Sequence, residues 1–423
     1  MEPSRPHVVI LGAGFGGLYA ARALYKAPVR LTIIDRQNHH LFQPLLYQVA
    51  TAALNPSDIA APIRSILRRQ ENAAVILGSA RSIDRESRKV ILAEGEVAFD
   101  YLIVATGATH SYFGNEEWAE HAPGLKSIDD ALEIRRRILL AYEAAEREMN
   151  EELQKEWMTF VVIGGGPTGV ELAGALAEIA RHTFPRDFRR IDTRSARIIL
   201  LEGLPRLLNT YPEDLSEKAR RQLERIGVEV RIGTKVTSID SRSVVAGAER
   251  IATRTKIWAA GVQASPLVRS LEVPLDRAGR VLVETDLTIP GSREIFVIGD
   301  LAAVRHGESF VPGVAPAAIQ EGRHAAMNVV KAIDGDAMAP FVYHDKGSLA
   351  TIGRASAVAD LGWLKLSGPI AWVTWIMIHI ATLIGYRNRL LVLLQWAWSW
   401  ATFQRGARLI TGRPTPLPDE ERD

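Results

Sequence analysis

Three glycines and a carboxylate, repeated twice, are the residues of this chain best suited to chemistry. Gly12, Gly14 and Gly17 follow the apolar, β-branched run HVVILG (residues 7–12) and precede LYAARALYK, which has helical periodicity. In a strand–turn–helix unit the first glycine permits a tight turn. The second leaves room for a diphosphate, and the third lets helix and strand pack closely. The helix N-terminus then offers free N–H groups and a positive dipole end to phosphate oxygens. Phe15 and Gly16 complete the loop. The next strand, RLTIID, ends at Asp35, about twenty residues on, where a carboxylate accepts from a ribose hydroxyl.

The pattern recurs at Gly164, Gly166 and Gly169 inside TFVVIGGGPTGVELAGALAEIA, with Thr168 in the turn and Glu202 closing the strand ARIILLEG. An insertion, RHTFPRDFRRIDTR (residues 181–194), lengthens the interval from glycines to acid. One such pattern can be no more than a glycine-rich turn. Two, each in context and each with its acid, point to two dinucleotide-binding folds. A carboxylate at Glu202 accepts from a 2′-hydroxyl and repels a 2′-phosphate, which favours NADH over NADPH. Arg206 lies close by and works against that preference, and a solvated surface glutamate is the plainer reading.

The elements around these loops set the class. DYLIVATGA ends a strand at Thr106 and Gly107, TKIWAAGV repeats that arrangement at Ala260 and Gly261, and EIFVIGD ends a strand at Asp300. Apolar strands alternating with helices give an α/β fold of two Rossmann-like domains, one inserted into the other. The spacing predicts a first domain over 1–115 and 275–340 and a second over 116–274. A C-terminal region follows over 341–423. At 423 residues, with 51 Lys plus Arg against 49 Asp plus Glu, the chain has the size for this and no charge block suited to nucleic acid. It has no cysteine, which excludes a disulfide framework, a thiolate zinc site, an iron–sulfur cluster and a catalytic dithiol. No cluster of His and carboxylates suggests a metal. The N-terminus lacks the form of a signal peptide, so synthesis and folding in the cytoplasm are expected.

These segments together resemble the two-dinucleotide flavoproteins. In that superfamily the first fingerprint and the late G-D strand hold FAD, and the second fingerprint holds NAD(P)H. The resemblance implies an FAD site at Gly12, Gly14, Phe15, Gly16, Gly17, Asp35, Arg36, His40, Thr106, Gly107, Asp300, Pro316 and Ala317. It implies an NADH site at Gly164, Gly166, Thr168, Gly169, Glu202, Ala260 and Gly261. Asp300 read without it is an ordinary strand-end helix cap. Within the superfamily, Asn38 to Thr51 (NHHLFQPLLYQVAT) most resembles the type II NADH:quinone oxidoreductases, single-chain and non-pumping. So do GVELAG at 169–174, the run Y-x-D-K-G-S-x-A-x-I-G at 343–353 and R-N-R at 387–389. The family implies hydride transfer from NADH to FAD and passage of two electrons to a lipid quinone, ubiquinone or menaquinone. Glu171 matches a family glutamate near the meeting point of nicotinamide and flavin, and a role in relaying protons follows. A stabilising first-turn acid is the equal alternative. The family often carries A-Q-x-A-x-Q beside the flavin. Here Ala315-Pro316-Ala317-Ala318-Ile319-Gln320 puts proline at the first glutamine. Proline suits a first helical turn, whose dipole would stabilise a reduced, anionic flavin, but a side-chain bond to quinone is lost. Gln320 is retained and stands as a candidate catalytic residue.

From Leu361 to Pro418 there is no acidic residue. Lys365, Arg387, Arg389, Arg405, Arg408 and Arg413 lie there, with six of the nine tryptophans. Trp and Arg among Leu and Ile compose helices that lie in a lipid interface. Two apolar segments, about 369–384 and 390–403, fall short of the ~20 residues a spanning helix needs. In the second, Gln395, Ser399 and Thr402 share one face, against Leu393, Trp396, Trp400 and Phe403 on another. A spanning hairpin and a buried or dimer-forming element are the other readings. Trp372, Trp375, His379 and Thr382 form a stripe that could line a quinone route with His379 as proton donor; a core histidine is at least as good a reading. A peripheral enzyme on the cytoplasmic face of the inner membrane is expected, and a tail shared between subunits would make a homodimer. A soluble reductase for ferredoxin or rubredoxin, and a membrane-docked FAD- and NADH-binding sensor with little turnover, fit the fingerprints as well.

Overall fold

The computed structural model describes residues 5–402 and 406–411. Phe403, Arg405 and Arg413 lie outside the described residues. In chain order, the first elements that matter for the site are β1 (His7–Leu11), α1 (Phe15–Ala23), β2 (Arg30–Asp35), α2 (Leu46–Ala50), β3 (Ala73–Leu77), β4 (Tyr101–Val104) and α3 (Ile128–Arg147). Next come β5 (Thr159–Ile163), α4 (Pro167–Glu178), β6 (Arg197–Leu201), β7 (Val228–Arg231), β8 (Thr255–Trp258), β9 (Ile295–Val297) and α5 (Ala315–Ile333). The last are β10 (Ser348–Gly353), β11 (Ser356–Asp360), β12 (Lys365–Ser367), α6 (Pro369–Thr382) and α7 (Tyr386–Thr402).

The chain divides into two compact units. The first comprises Met1–Leu41, Ala60–Thr109 and Val262–Lys346. Its core is a parallel sheet in the order β9-β4-β1-β2-β3. Every residue of β1 is buried, as a run of β-branched residues covered on both faces requires. Helices α1 and α5 cross at two glycines: a Cβ on Gly322 would stand 2.1 Å from the carbonyl oxygen of Gly16. An antiparallel ribbon, His40 opposite Ala61, closes the base of the segment that leaves this unit at Phe42 and returns at Ala60.

The second unit comprises Phe42–Ile59, His110–Gly261 and Gly347–Asp423. Its parallel sheet runs β7-β6-β5-β8, and β5 is buried throughout. An antiparallel sheet, β10-β11-β12, packs on α4, where a Cβ on Gly174 would come within 1.7 Å of the Ile352 carbonyl oxygen. Ala371 of α6 meets Ala357 and Ala359 of β11, small residues that let helix and sheet approach closely.

The boundaries correct the expected ones. The second unit begins at His110 and ends at Gly261, not at 116 and 274, and 341–423 does not stand apart. Residues after Gly261 join the first unit because they bond to the strand Ala80–Asp84 and the residue after it: Ser270 accepts from the Ile83 N–H at 3.0 Å and Arg85 donates to the Leu271 carbonyl at 2.9 Å. The C-terminal helix begins at Tyr386, about four residues earlier than expected, and runs through the R-N-R segment. Val392 is fully buried and Gln395 is half-buried, whereas Leu393, Leu394 and Trp398 are exposed, Trp398 at 62%. On α6, Ile370 and Met377 are 67% and 65% exposed. Thus both helices bury some apolar residues and turn others outward. No helix among the described residues is long and apolar enough to cross a membrane.

Candidate active site

The two glycine loops share one construction. Gly12 and Gly164 take φ of 94° and 111°, conformations that exclude a side chain on steric grounds. A Cβ on Gly17 would lie 1.8 Å from the Gly12 carbonyl oxygen, and one on Gly169 1.8 Å from that of Gly164. Around Gly14 and Gly166, by contrast, a Cβ would meet nothing within 4 Å. Those two residues are the N-caps of α1 and α4, with no side-chain cap and no acid in the first turn, so the leading N–H groups stay available. Asp35 accepts from the Ala13 N–H at 2.6 Å and the Gln37 N–H at 2.7 Å. Glu202 accepts from Gly165 at 2.6 Å and Leu204 at 2.7 Å. Each acid ties down its own loop and keeps further lone pairs for a ribose hydroxyl.

Other expected FAD residues gather in the first unit. The His40 Nδ1 lies 2.9 Å from the Ala13 carbonyl, its ring stands edge-on to Phe15, and burial pushes its pKa down, leaving it neutral. Its Nε2 and the Thr106 hydroxyl are buried without a hydrogen-bond partner. Gly107, at φ 68°, has open space before it, and Arg36 is exposed. Asp300 follows Gly299, whose N–H donates to Glu321 at 2.5 Å. Glu321 is buried and its carboxyl is pushed up to about 7 by burial, with the Asp300 charge adding to the rise. Helix α5 starts at Ala315-Pro316 with Ala317 buried and no side-chain cap. A cradle without side chains, free helix N–H groups and two orphaned buried polar atoms are what a dinucleotide would satisfy, so the residues fit FAD. In the second unit, Thr168 is exposed on the first turn of α4, and Ala260 and Gly261 are half-buried, with Gly261 beneath the Phe113 ring. Arg206 donates to its own loop at the Asn209 carbonyl, 2.8 Å away.

Gln320 is engaged with backbone: its amide donates to the carbonyls of His344 at 2.9 Å and Pro316 at 3.1 Å and accepts from the His344 N–H at 3.0 Å. Its two amide protons are thus shared between the Pro316 and His344 carbonyls.

Glu171 opens on a separate chamber of about 120 Å³ within the second unit. Tyr47, Gln48 and Thr51 form one wall, and Glu171, Ala175 and Glu178 of α4 form the next. The end of β10 and Arg354 line a third side, and the indoles of Trp372, Trp375, Trp396 and Trp400 line the mouth, which is open. Hydrogen bonds fix the first wall: Trp396 donates to Gln48 at 2.7 Å, Gln48 to the Tyr47 hydroxyl at 2.9 Å, and Thr51 to the Tyr47 carbonyl at 2.8 Å. Glu171 is 9% exposed, and the Thr351 N–H donates to it at 3.5 Å, a long contact. Burial pushes its carboxyl up to about 8, and the Thr351 N–H and the Trp375 indole oppose that rise. The indole N–H itself falls short of hydrogen-bond geometry. At neutral pH Glu171 therefore carries its proton. His379 and Thr382 do not line the chamber, although Trp372 and Trp375 of the same stripe do. His379 stacks on Trp375 at 4.1 Å, bonds to the Trp375 carbonyl at 2.7 Å and stands edge-on to Phe42. Burial pushes its pKa down to about 4, so it is a neutral buttress rather than an imidazolium donor. Thr382 is exposed and bonds to the Ile378 carbonyl.

Sequence reasoning missed the roles of Tyr47, Gln48, Thr351, Arg354 and Trp396, which only tertiary packing brings together. Glu178 was legible in principle, since it lies seven residues from Glu171 on one helix.

Residues 6–322 match the family model described as pyridine nucleotide-disulphide oxidoreductase, and residues 345–403 match the NDH2 C-terminal domain. The chain is 46% identical over 425 residues to the type II NADH:quinone oxidoreductase Ndh of Mycobacterium tuberculosis, covering 97% of this chain and 91% of that protein. It is 30% identical over 383 residues to the type II NADH:quinone oxidoreductase of Staphylococcus aureus, covering 88% and 93%. A solved structure of NDH2 from Plasmodium falciparum in complex with NADH matches with a TM-score of 0.87 at 20% identity, over 96% of this chain and 100% of that one. The sulfide:quinone oxidoreductase of Aquifex aeolicus matches at 0.69 and 20% identity, over 91% of each chain. At that identity the likeness is one of fold. The disulphide chemistry in the first description has no counterpart in a chain without cysteine.

Proposed function

The chain belongs to the type II NADH:quinone oxidoreductases, and from that membership we propose how its residues divide the work. It is an FAD-dependent NADH dehydrogenase that reduces quinone without pumping protons. Bound FAD supplies the redox chemistry, accepting a hydride from NADH and yielding two electrons to quinone. Family membership removes the footing of the ferredoxin-type reductase and of the sensor.

The first glycine loop, Asp35, His40, Thr106 and Asp300 hold the flavin nucleotide; the second loop and Glu202 hold NADH. Glu202 accepts from the adenosine ribose, and Arg206, engaged at Asn209, does little to admit a 2′-phosphate. The chamber beside Glu171 receives the quinone ring. The observation that carries this is a buried carboxyl lining one chamber with four indoles, a slot suited to a flat ring with an acid beside it. Glu171 gives its proton to a quinone oxygen as electrons arrive. Gln48, held by Trp396 and Tyr47, keeps the slot open.

The outward apolar faces of α6 and α7 seat the protein on a membrane without crossing it, on the cytoplasmic face, where NADH is made. Stopped-flow absorbance tests the site assignment. Glu171→Gln should leave flavin reduction by NADH at the parent rate and slow flavin reoxidation by a soluble quinone about a hundredfold, the lower end of the range for a lost general acid. Equal reoxidation in parent and variant would remove Glu171 from the mechanism.

A further inference from the structure

We propose that Glu178 is the residue through which the chamber takes up protons from water, recharging Glu171 between turnovers. The inference rests on the chamber being the quinone site.

The reaction itself requires an uptake step. NADH brings two electrons and one proton as hydride and leaves as NAD⁺. A quinone becomes a quinol by taking two electrons and two protons. One proton per turnover therefore comes from the medium. Glu171 gives it to the quinone oxygen and is left as a carboxylate, which must be reprotonated before the next quinone arrives. Glu171 is 9% exposed and lines the chamber, so protons from water reach it by way of the chamber.

Glu178 has the geometry to relay them. Seven residues along an α-helix return to nearly the same face, about 10.5 Å along the axis. Both carboxylates line the same chamber, and only the methyl group of Ala175 stands between them on that face. A chamber of about 120 Å³ has room for several waters, enough to link two groups at that separation. Glu178 is half-buried at the rim. Its carboxylate accepts the Arg354 N–H, and Gly353 leaves it room, since a Cβ there would stand 2.9 Å from its Oε1. Immediately after Glu178 the helix widens into a π-turn, Ile179–Thr183, which brings the Thr183 hydroxyl to the chamber as well. Such turns are rare and recur at functional sites.

The other ionisable groups around the chamber cannot substitute. Tyr47 and Arg354 line it, and the Arg354 guanidinium lies over Trp400 at 4.6 Å. Tyr211, near Glu171 and Asp360, is held well above the usual phenol range by burial. His379 stands behind Trp375 and is neutral. Neither a phenol nor a guanidinium releases a proton readily near neutral pH. A quinone ring in the chamber displaces the waters, so recharging takes place after the quinol leaves.

That order gives a test with opposite outcomes for the two glutamates. In Glu178→Gln the amide oxygen still accepts the Arg354 N–H, so the local fold is retained, and flavin absorbance with flavin reduction by NADH checks it. The first flavin reoxidation by a soluble quinone should match the parent, because Glu171 starts protonated. Steady-state turnover should fall by about a hundredfold, more at high pH, and millimolar acetate or imidazole should restore it. Glu178→Asp should keep the parent pH profile. A Glu178→Gln enzyme with parent turnover at all pH values, or one slowed already in the first reoxidation, overturns the proposal. Failure of the chamber reading looks different: Glu171→Gln and the chamber-filling Ala175→Phe would both leave the quinone half-reaction untouched.

Discussion

A carboxyl with few partners in an apolar chamber has two measurable consequences. Glu171 sits at about 8 against an ordinary 4.5, and the protonated form is the donor. Flavin reoxidation by quinone should therefore be flat with pH up to about 8 and fall above it, and Glu171→Gln should be slow and flat throughout. The same shift acts on stability. The folded chain holds this proton more tightly than the unfolded chain, so stability falls as pH rises from 4.5 to about 8. Glu321, raised to about 7 by burial, adds a slope of the same sign, so Glu171→Gln should flatten urea midpoints against pH only in part. Gln320 predicts the reverse pattern. Its three hydrogen bonds clamp backbone, so Gln320→Ala should cost about 1–3 kcal/mol in unfolding free energy, with the quinone half-reaction unchanged. Glu171 could be singled out in the sequence because it follows a glycine fingerprint. Gln320 could be found but not assigned, because its partner His344 lies twenty-four residues away and no periodicity joins them.

Helices and strands carry the next set of constraints. The parallel sheets were legible because buried runs such as HVVIL and TFVVI can be little else. The C-terminal helices were legible in composition, but a sequence of tryptophans and leucines does not say which of their apolar residues pack on protein and which turn outward. The exposed side carries the test: Leu394→Asp with Met377→Asp should weaken binding to anionic liposomes in a flotation assay at least tenfold, while NADH still reduces the flavin at the parent rate. The π-turn after α4 makes a sharper prediction. Phe184 and Phe188 reach Tyr142 of α3 at ring separations of 4.7 and 5.8 Å. Deleting one residue between Ile179 and Thr183 would rotate everything after it by about 100° and pull both rings off Tyr142. Such a deletion should lower the melting temperature far more than one in the exposed loop at Gly203–Leu204, as calorimetry would show.

At the scale of the whole molecule, the sequence conveyed two folds and their order but not how the chain is shared between them. Phe42–Ile59 belongs to the second unit although both its flanks belong to the first. A reading by contiguous blocks cannot anticipate an excursion closed by a ribbon of three residues per side. That excursion supplies Tyr47, Gln48 and Thr51, which is the physical reason the stretch Asn38–Thr51 is so distinctive. The chamber built this way also concentrates four of the molecule's nine tryptophans around one small volume. Their ultraviolet emission is thus a built-in gauge of occupancy. An electron-poor ring sliding among those indoles would quench a large share of the total fluorescence, with no dye attached, and titrating the signal would follow quinone arrival separately from turnover.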